Sequence, residues 1–166
     1  MSSNTPAVRS ARPSDAPTLR RLQSFLSEPA PTVLSAALCE LAVSPETRSF
    51  QLYVSGADRV AVDSVPGGQP VGYALSVSGG TTHLVELVVA PDFRRQGRAR
   101  ALCSAVLASA TPPVTVHVAA DNTAARALYE SVGFVEHERA ADRFETSERL
   151  TLRYPGEHSP VDNEST

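Results

Sequence analysis

The chain has 166 residues, 42% of them hydrophobic and 20% charged, which is enough for one hydrophobic core and predicts a single domain. Its net charge of −3 excludes the general basic surface of a nucleic-acid-binding protein, and its apolar runs are too short to span a membrane. The N-terminus lacks the charged and apolar regions of a secretory signal, so we expect a cytoplasmic protein with no membrane or nucleic-acid partner. Cys39 and Cys103 lack metal-ligand spacing and are expected to be separate thiols.

The two ends of the chain are polar and rich in proline and serine. Residues 1–7 and 155–166 are therefore expected to be flexible, around one domain that covers residues 8–154. No internal repeat or interior linker is visible in the sequence. A short strand in AVRSAR opens the domain.

Two helices are predicted next, and Ser14 is expected to cap the first. The second fits residues 32–42. The first helix carries its apolar residues on one side, at Leu19, Leu22, Phe25 and Leu26. Three strand-like runs follow with glycine-rich turns between them, which predicts antiparallel pairing among residues 50–54, 58–65 and 71–77.

The second half of the chain alternates strands with helices. The predicted order is strand 82–89, helix 97–110, strand 114–119, helix 123–132, strand 134–140 and strand 149–154. Alternation of this kind implies a parallel β-α-β step, here over residues 82–119. The predicted fold class is α/β, with a mixed, mostly antiparallel twisted sheet flanked by about four helices.

The segment APDFRRQGRARAL, residues 90–102, places four arginines around Gly97 just before an apolar helix. A helix N-terminus is unfavourable for each nearby cation by about 0.3 to 1 kcal/mol of interaction free energy. A bound anionic ligand makes the same cations favourable. Backbone N–H groups in such a turn bind phosphate oxygens, and the arginines can add charge-assisted hydrogen bonds to a polyphosphate. The alternative is a solvated cluster that serves solubility. The four arginines are Arg94, Arg95, Arg98 and Arg100.

A second segment, residues 120–134, can line one side of a ligand site. Asn122 stands at the start of a predicted helix, and Tyr129 follows seven residues later, close to two full turns. The two side chains therefore share one helix face, which can line a long, thin ligand.

These two segments resemble the motifs of the GNAT superfamily of acetyl-coenzyme A dependent N-acetyltransferases. VVAPDFRRQGRARAL is similar to motif A, whose signature [RQ]-x-x-G-x-[GA] is matched by Arg94, Gly97 and Ala99. DNTAARALYESVGF is similar to motif B, N-x-x-A-x-x-L-Y-x-x-x-G-F, with every named position matched. The 25 positions from Gly97 to Asn122 leave room for one helix and one strand, as that fold requires.

The resemblance implies acetyl-coenzyme A (acetyl-CoA) as co-substrate and no metal. In this family the strand before the turn binds the pantetheine arm through its backbone. The turn amides bind the pyrophosphate, and the motif B asparagine lies beside the pantetheine. The residues that it implies for cofactor binding are Leu87, Val88, Val89, Arg94, Arg95, Gln96, Gly97, Arg98, Ala99, Arg100 and Asn122.

The resemblance also implies catalytic residues. The family often uses a glutamate to deprotonate the amine, and Glu86, which stands in the corresponding strand, is the favoured candidate because that strand also carries the expected cofactor contacts. In the branch that acetylates ribosomal-protein N-termini, this glutamate lies five positions before the motif B asparagine, where this chain has His117; imidazole is also able to act as the base. Each has an alternative, solvent exposure or an arginine partner for Glu86 and a structural role for His117. Tyr129 matches the general acid that reprotonates the departing thiolate, with packing as its alternative role.

The leading hypothesis is an N-acetyltransferase that acts on a primary amine. The amine belongs either to a peptide or protein N-terminus, as in the ribosomal-protein alanine N-acetyltransferase branch that ALYESVGF and DRFETSERLTL resemble, or to a small molecule such as an aminoglycoside. A different class of function is a non-catalytic acyl-CoA binding module. The protein is expected to be a monomer or a homodimer.

Overall fold

The computed structural model describes residues 6–43, 49–56, 69–141 and 148–156, which form a seven-stranded sheet and four α-helices. The strands are β1 (Val8–Ser10), β2 (Phe50–Gly56), β3 (Pro70–Gly79), β4 (Thr81–Val89), β5 (Val114–Ala119), β6 (Val135–Ala141) and β7 (Glu148–Tyr154). The helices are α1 (Ala16–Gln23), α2 (Pro31–Val43), α3 (Arg98–Ser109) and α4 (Thr123–Ser131). Single 3-10 turns precede α1 (Pro13–Asp15) and follow β4 (Pro91–Phe93).

The sheet order is β1-β2-β3-β4-β5-β7-β6. All neighbouring strands are antiparallel except β4 and β5, which are parallel and joined through α3. The predicted mixed α/β fold, with its β-α-β step over residues 82–119, is therefore confirmed. The strand predicted over residues 58–65 lies outside the described residues.

The helices pack on both faces of the sheet. α1 and α2 cover one face, mainly against β2, β3 and β4, where Leu19, Leu34 and Tyr73 are fully buried. α3 and α4 cover the other face, where the α3 residues Leu102 and Val106 pack against the central strands. Within the described ranges, no helix is long and apolar enough to cross a membrane.

A β-bulge in β4 changes the face that its residues meet. Leu84 pairs with Ser76 and Glu86 pairs with Leu75, so Val85 is an extra residue without an opposite partner. Leu84 packs in the core under α3, whereas Val85 and Glu86 both contact the α1/α2 side. The bulge thereby brings the Glu86 carboxylate under α1, where strict alternation from Leu84 would have placed it on the opposite face.

The start of α1 differs from the predicted cap. Ser14 lies inside the 3-10 turn, and Asp15 occupies the position before the helix. The prediction that Ser14 caps this helix is wrong because the Asp15 carboxylate organises the turn: it accepts from the Arg12 amide at 2.8 Å and from two Arg9 nitrogens at 2.8 and 3.0 Å. Phe25, predicted on the apolar side of this helix, lies beyond its end and is 46% exposed.

Asp15→Asn should destabilise the fold through this turn. Burial tends to raise the pKa of Asp15, but the hydrogen bonds and charges of Arg9 and Arg12 outweigh it and lower the pKa below 3.8. A lowered folded-state pKa stabilises the protein above the unfolded pKa, and this stability is lost as the pH falls through the folded value. We expect the variant to lose about 1 to 3 kcal/mol of unfolding free energy near neutral pH.

Urea unfolding of both proteins near neutral pH and at about pH 3 checks this expectation, because the difference between them should shrink at the acidic end. Asp121→Asn, at an exposed position, is the matched control and should leave stability nearly unchanged at both values. A pH-independent loss in Asp15→Asn would contradict the account.

Candidate active site

A cleft opens where β4 and β5 stop pairing. Their parallel ladder joins only Thr82–Leu84 to Val114–Val116, after which β4 continues to Val89 and β5 to Ala119 as separate strands. The cleft has a volume of about 700 Å³ and lies between the end of β4, the turn before α3, the segment after α1 and one side of α4. A cavity of this size accommodates one small ligand or one extended arm.

The cleft brings together most residues that the two motifs predicted. Tyr129 lines it, whereas Gln96, Glu86 and His117 are not among its lining residues. The other predicted cofactor-binding residues all line it: Leu87, Val88, Val89, Arg94, Arg95, Gly97, Arg98, Ala99, Arg100 and Asn122. Sequence reasoning did not place in the site seven further residues that line it: Phe25, Leu26, Ser27, Phe93, Ala124, Ala125 and Leu128. Of these, Ala125 and Leu128 carried a signal as matched positions of the second motif.

The turn before α3 offers several backbone N–H groups to a ligand. In the described chain, the amides of residues 95–97, 99 and 100 donate to no backbone carbonyl, and the first amide of the helix ladder is that of Ala101, which donates to the Gly97 carbonyl at 3.0 Å. Two residues of the turn are left-handed, Arg95 with φ 61° and Gly97 with φ 77°. Successive amides in such a backbone form a concave nest that binds anions.

Exposed arginines surround this nest. Arg94 donates from Nε to the Val89 carbonyl at 2.9 Å, and Arg100 donates from Nη2 to the Ser131 carbonyl at 3.2 Å. The Arg95 side chain makes no hydrogen bond or ion pair to the described residues. All three guanidinium groups therefore place positive charge at the cleft, and two of them also bind backbone carbonyls of neighbouring segments.

Arg98 differs from its neighbours because its side chain turns inward. It is 5% exposed and donates from Nη1 to the Ser55 hydroxyl at 3.0 Å and from Nε to the Gln96 side chain at 3.1 Å. Its guanidinium carbon lies 5.6 Å from the centre of the Phe93 ring. A solvated arginine cluster, the alternative that the sequence left open, does not describe this residue.

Asn122 and Tyr129 form the α4 wall of the cleft. Asn122 caps the helix by accepting from the Ala125 amide at 3.1 Å, which orients the remaining amide group of its side chain. Tyr129 is buried, with its ring 5.4 Å from Phe134 in an edge-on contact. Burial and the neighbouring Cys103 thiol raise the pKa of Tyr129, so the phenol keeps its proton at neutral pH and is a donor.

Glu86 is buried on the α1/α2 side of β4. Its Oε1 accepts from Gln23 Nε2 at 2.9 Å and from the Ala30 amide at 2.6 Å, and its Oε2 accepts from the Tyr73 hydroxyl at 2.7 Å. Burial and the hydrogen bond to Glu86 raise the pKa of Tyr73, which remains a donor. The carboxylate thus faces neither solvent nor any arginine in the described chain, and it ties α1 and the start of α2 to β4.

His117 is exposed on β5, and its side chain points to the face of the sheet opposite to that of the buried Val116. Its Nδ1 lies 3.0 Å from the Thr151 hydroxyl, and its ring centre lies 4.6 Å from that of His83. His83 is half-buried and its Nδ1 lies 2.9 Å from the Thr115 hydroxyl. Burial and the nearby His117 ring lower the pKa of His83, so His83 is neutral at neutral pH.

The segment between α1 and α2 spans this polar side of the sheet. Ala30 is held by Glu86 on β4, and Glu28 forms a 2.8 Å ion pair with Arg149 on β7. Residues 25–27 of the same segment line the cleft. The segment therefore borders both the cleft and the α1/α2 side of β7.

Comparison with known proteins assigns the chain to one family. Residues 40–134 match the acetyltransferase (GNAT) family, and this span includes β4, the arginine-rich turn and α4. The chain belongs to the GNAT family. The resemblance predicted from the two motifs is thereby confirmed.

Two curated GNAT relatives are mycothiol acetyltransferases. The chain is 35% identical over 116 residues to that of Clavibacter michiganensis subsp. michiganensis, covering 64% of this chain and 38% of the relative. It is 46% identical over 65 residues to that of Clavibacter sepedonicus, covering 39% of this chain and 21% of the relative. The chain therefore matches less than half the length of these two proteins.

Solved GNAT structures share the fold at low sequence identity. The ribosomal-protein-S18-alanine N-acetyltransferase of Escherichia coli superposes with a TM-score of 0.72 at 18% identity, covering 94% of this chain and 97% of that one. NAA60 of Arabidopsis thaliana, solved with acetyl-CoA, gives a TM-score of 0.68 at 18% identity, covering 91% and 98%. These superpositions establish the GNAT fold for this chain.

The groups present in the cleft fit acetyl-CoA. The nest of amides at residues 95–100 matches the negative charge of a pyrophosphate, and the surrounding arginines add to its field. Beyond Leu84 the β5-facing edge of β4 pairs with no described strand, so its peptide groups, apart from the Val89 carbonyl that accepts from Arg94, are available to the amide groups of a pantetheine arm.

Gly97→Val should weaken acetyl-CoA binding by at least about ten-fold, since a left-handed residue with a β-carbon costs roughly 1 to 2 kcal/mol. A Cβ at Gly97 would meet no atom within 4 Å, so the substitution acts through the backbone conformation of the turn and not through a steric clash. Calorimetric titration with acetyl-CoA measures the loss.

Gly80→Val is the matched control. Gly80 is also left-handed, with φ 83°, and also open, but it lies in the hairpin between β3 and β4 and does not line the cleft. It should bind acetyl-CoA like the wild type. Undiminished binding in Gly97→Val, or an equal loss in Gly80→Val, would contradict this assignment of the nest.

Proposed function

We propose that this GNAT protein transfers the acetyl group of acetyl-CoA to a primary amine by direct attack in a ternary complex. The observation that carries the proposal is the cleft between the separated ends of β4 and β5, which has free turn amides at its mouth and a protonated phenol in its wall. Acetyl-CoA supplies an activated thioester, so the protein has to supply position, proton removal and proton return.

The donor is positioned by groups on three elements. The β4 backbone at residues 87–89 holds the pantetheine arm, the amides of residues 95–100 hold the pyrophosphate, and the free amide group of Asn122 lies beside the arm. Backbone donors dominate this list, which makes the binding depend on chain geometry more than on the identity of any one side chain.

The amine must lose a proton before it attacks. We propose His117 as the base, because its ring is exposed on the side from which an acceptor approaches and its Nδ1 is already fixed by Thr151. Glu86, the other candidate, already accepts three hydrogen bonds and is buried away from solvent. Its role in this proposal is to position α1 and the segment that follows it.

The departing thiolate must receive a proton, and Tyr129 is the proposed acid. It lines the cleft, and its raised pKa keeps it protonated throughout the neutral range. Its hydroxyl donates to no group in the described chain, which leaves the proton available to a sulfur atom in the cleft.

The proposed acceptor is the terminal amine of a peptide or protein. The side of β5 and β7 that carries His117 and Thr151 is polar and open enough for an extended chain, and the segment after α1 borders it. A small-molecule amine is the second candidate, and the sequence match to two mycothiol acetyltransferases supports it.

Release of free coenzyme A from acetyl-CoA, measured with a panel of amines, tests the proposal. The panel contains short peptides with free N-termini, the same peptides with blocked N-termini, amino sugars and an aminoglycoside. Release with free but not blocked peptides supports the peptide acceptor, and release with amino sugars alone supports the second candidate. Tight binding of acetyl-CoA without release for any amine would instead identify an acyl-CoA binding module.

Tyr129→Phe should lower kcat by about 10² to 10⁴, the usual contribution of a positioned acid, with little change in acetyl-CoA affinity. The ring and its contact with Phe134 are kept, so stability should not fall. Tyr154→Phe is the matched control, because Tyr154 also packs against Phe134, at 5.8 Å, but does not line the cleft. A normal kcat in Tyr129→Phe would remove Tyr129 from the mechanism.

His117→Asn and Glu86→Gln separate the two candidate bases. Either candidate acts as a base only in its deprotonated form. Protonation of the true base therefore lowers kcat/KM at acidic pH, which gives the pH profile an acidic limb. We expect His117→Asn to lose that limb and keep only the titration of the amine, while Glu86→Gln keeps the limb and raises the KM of the acceptor. His137→Asn, at an exposed position on β6, is the control. Loss of the limb in Glu86→Gln alone would reassign the base to Glu86.

A further inference from the structure

The arginine-rich turn is strained and exposed, yet it must have a defined shape before a ligand arrives. Arg95 is a non-glycine residue in the strained left-handed region, and the amides of residues 95–97, 99 and 100 donate to no backbone carbonyl in the described chain. Strained backbone of this kind persists only where surrounding contacts determine it. Those contacts must come from side chains, because the turn has no backbone ladder of its own.

Arg98 provides such contacts on both sides of Gly97. Its backbone is the first residue of α3, and its side chain binds the Gln96 side chain at 3.1 Å, so the residues before and after Gly97 are linked. The same guanidinium reaches the hydroxyl of Ser55 at 3.0 Å. The turn is thereby connected to β2, an element that takes no part in the cleft lining.

Ser55 is a rigid attachment point. It is fully buried, and its backbone lies between two strands, pairing with Val8 of β1 and with Gly72 of β3. The hydroxyl therefore has a fixed position relative to the sheet. Phe93, in the 3-10 turn after β4, closes the other side of the guanidinium at 5.6 Å.

We propose that Arg98 is a positioning residue for the pyrophosphate nest, which it holds in its binding shape through Ser55 and Gln96 rather than by bonding the phosphates itself. This inference rests on the proposed acetyl-CoA site and explains why one arginine of the four is buried. Ordering the turn in advance removes the entropic cost of ordering it when the ligand binds.

The test compares Ser55→Ala, Arg98→Met, their double variant and Gln96→Ala. We expect Ser55→Ala and Arg98→Met each to weaken acetyl-CoA binding about ten-fold. The double variant should bind no more weakly than Arg98→Met alone, because the two substitutions remove the same hydrogen bond. The KM for acetyl-CoA should rise by the same factor while kcat stays within about two-fold. Gln96 is exposed, so Gln96→Ala should leave the fold intact. Its loss of acetyl-CoA affinity should be smaller than that of the other variants.

A second readout follows the turn without ligand. NMR order parameters of the amides at residues 95–97 should fall in Ser55→Ala and Arg98→Met, since the turn loses its attachment. Ser76→Ala is the matched control, because Ser76 is an equally buried serine of the same sheet whose hydroxyl bonds Gln51 at 3.3 Å, away from the cleft. It should change neither affinity nor order.

Two results would overturn the inference. A loss of affinity in Arg98→Met with no change in Ser55→Ala would show that Arg98 bonds the phosphates directly. An equal loss in Ser76→Ala would show general damage to the sheet. Failure of the proposed function is distinct, because the wild-type protein would then bind no acetyl-CoA even though the order parameters of the turn still responded to the variants.

Discussion

The separation of β4 from β5 beyond Leu84 and Val116 is the constraint on which the site depends. A sheet that closed this gap would pair the peptide groups of both strands and leave no cleft. Keeping it open leaves backbone groups without a ladder partner, and each unmade hydrogen bond costs about 1 kcal/mol unless water or a ligand replaces it. The three hydrogen bonds to Glu86 help to offset this cost by fixing β4 against β3 and α1.

The two faces of the sheet have different tasks in the proposed reaction. Acetyl-CoA enters from the side of α3 and α4, where the turn concentrates positive charge, and the amine arrives from the polar side that carries His117. The gap between the strands is where the two ligands meet. Proton removal and proton return are then assigned to residues on opposite sides of the gap, His117 and Tyr129, so the two proton transfers do not compete for one group.

The sequence could predict what depends on local pattern. Strand and helix order followed from apolar spacing and from glycine and proline positions, and the two motifs located the turn and α4 because their geometry is set by Gly97 and Asn122. The bulge at Val85 has no local marker, and the partners of Glu86 come from 13 to 63 positions away. The buried position of Arg98 also escaped prediction, because a charged residue in a cationic turn is ordinarily exposed.

Hydrogen exchange of the backbone amides with and without acetyl-CoA tests the central claim most directly. The account predicts new protection at Leu87 and Val89, whose amides face the open edge of β4, and at residues 95–97, 99 and 100 of the turn, with no change in β6, which lies at the far edge of the sheet. Protection elsewhere with none at these two segments would contradict the assignment of the cleft between β4 and β5 as the acetyl-CoA site.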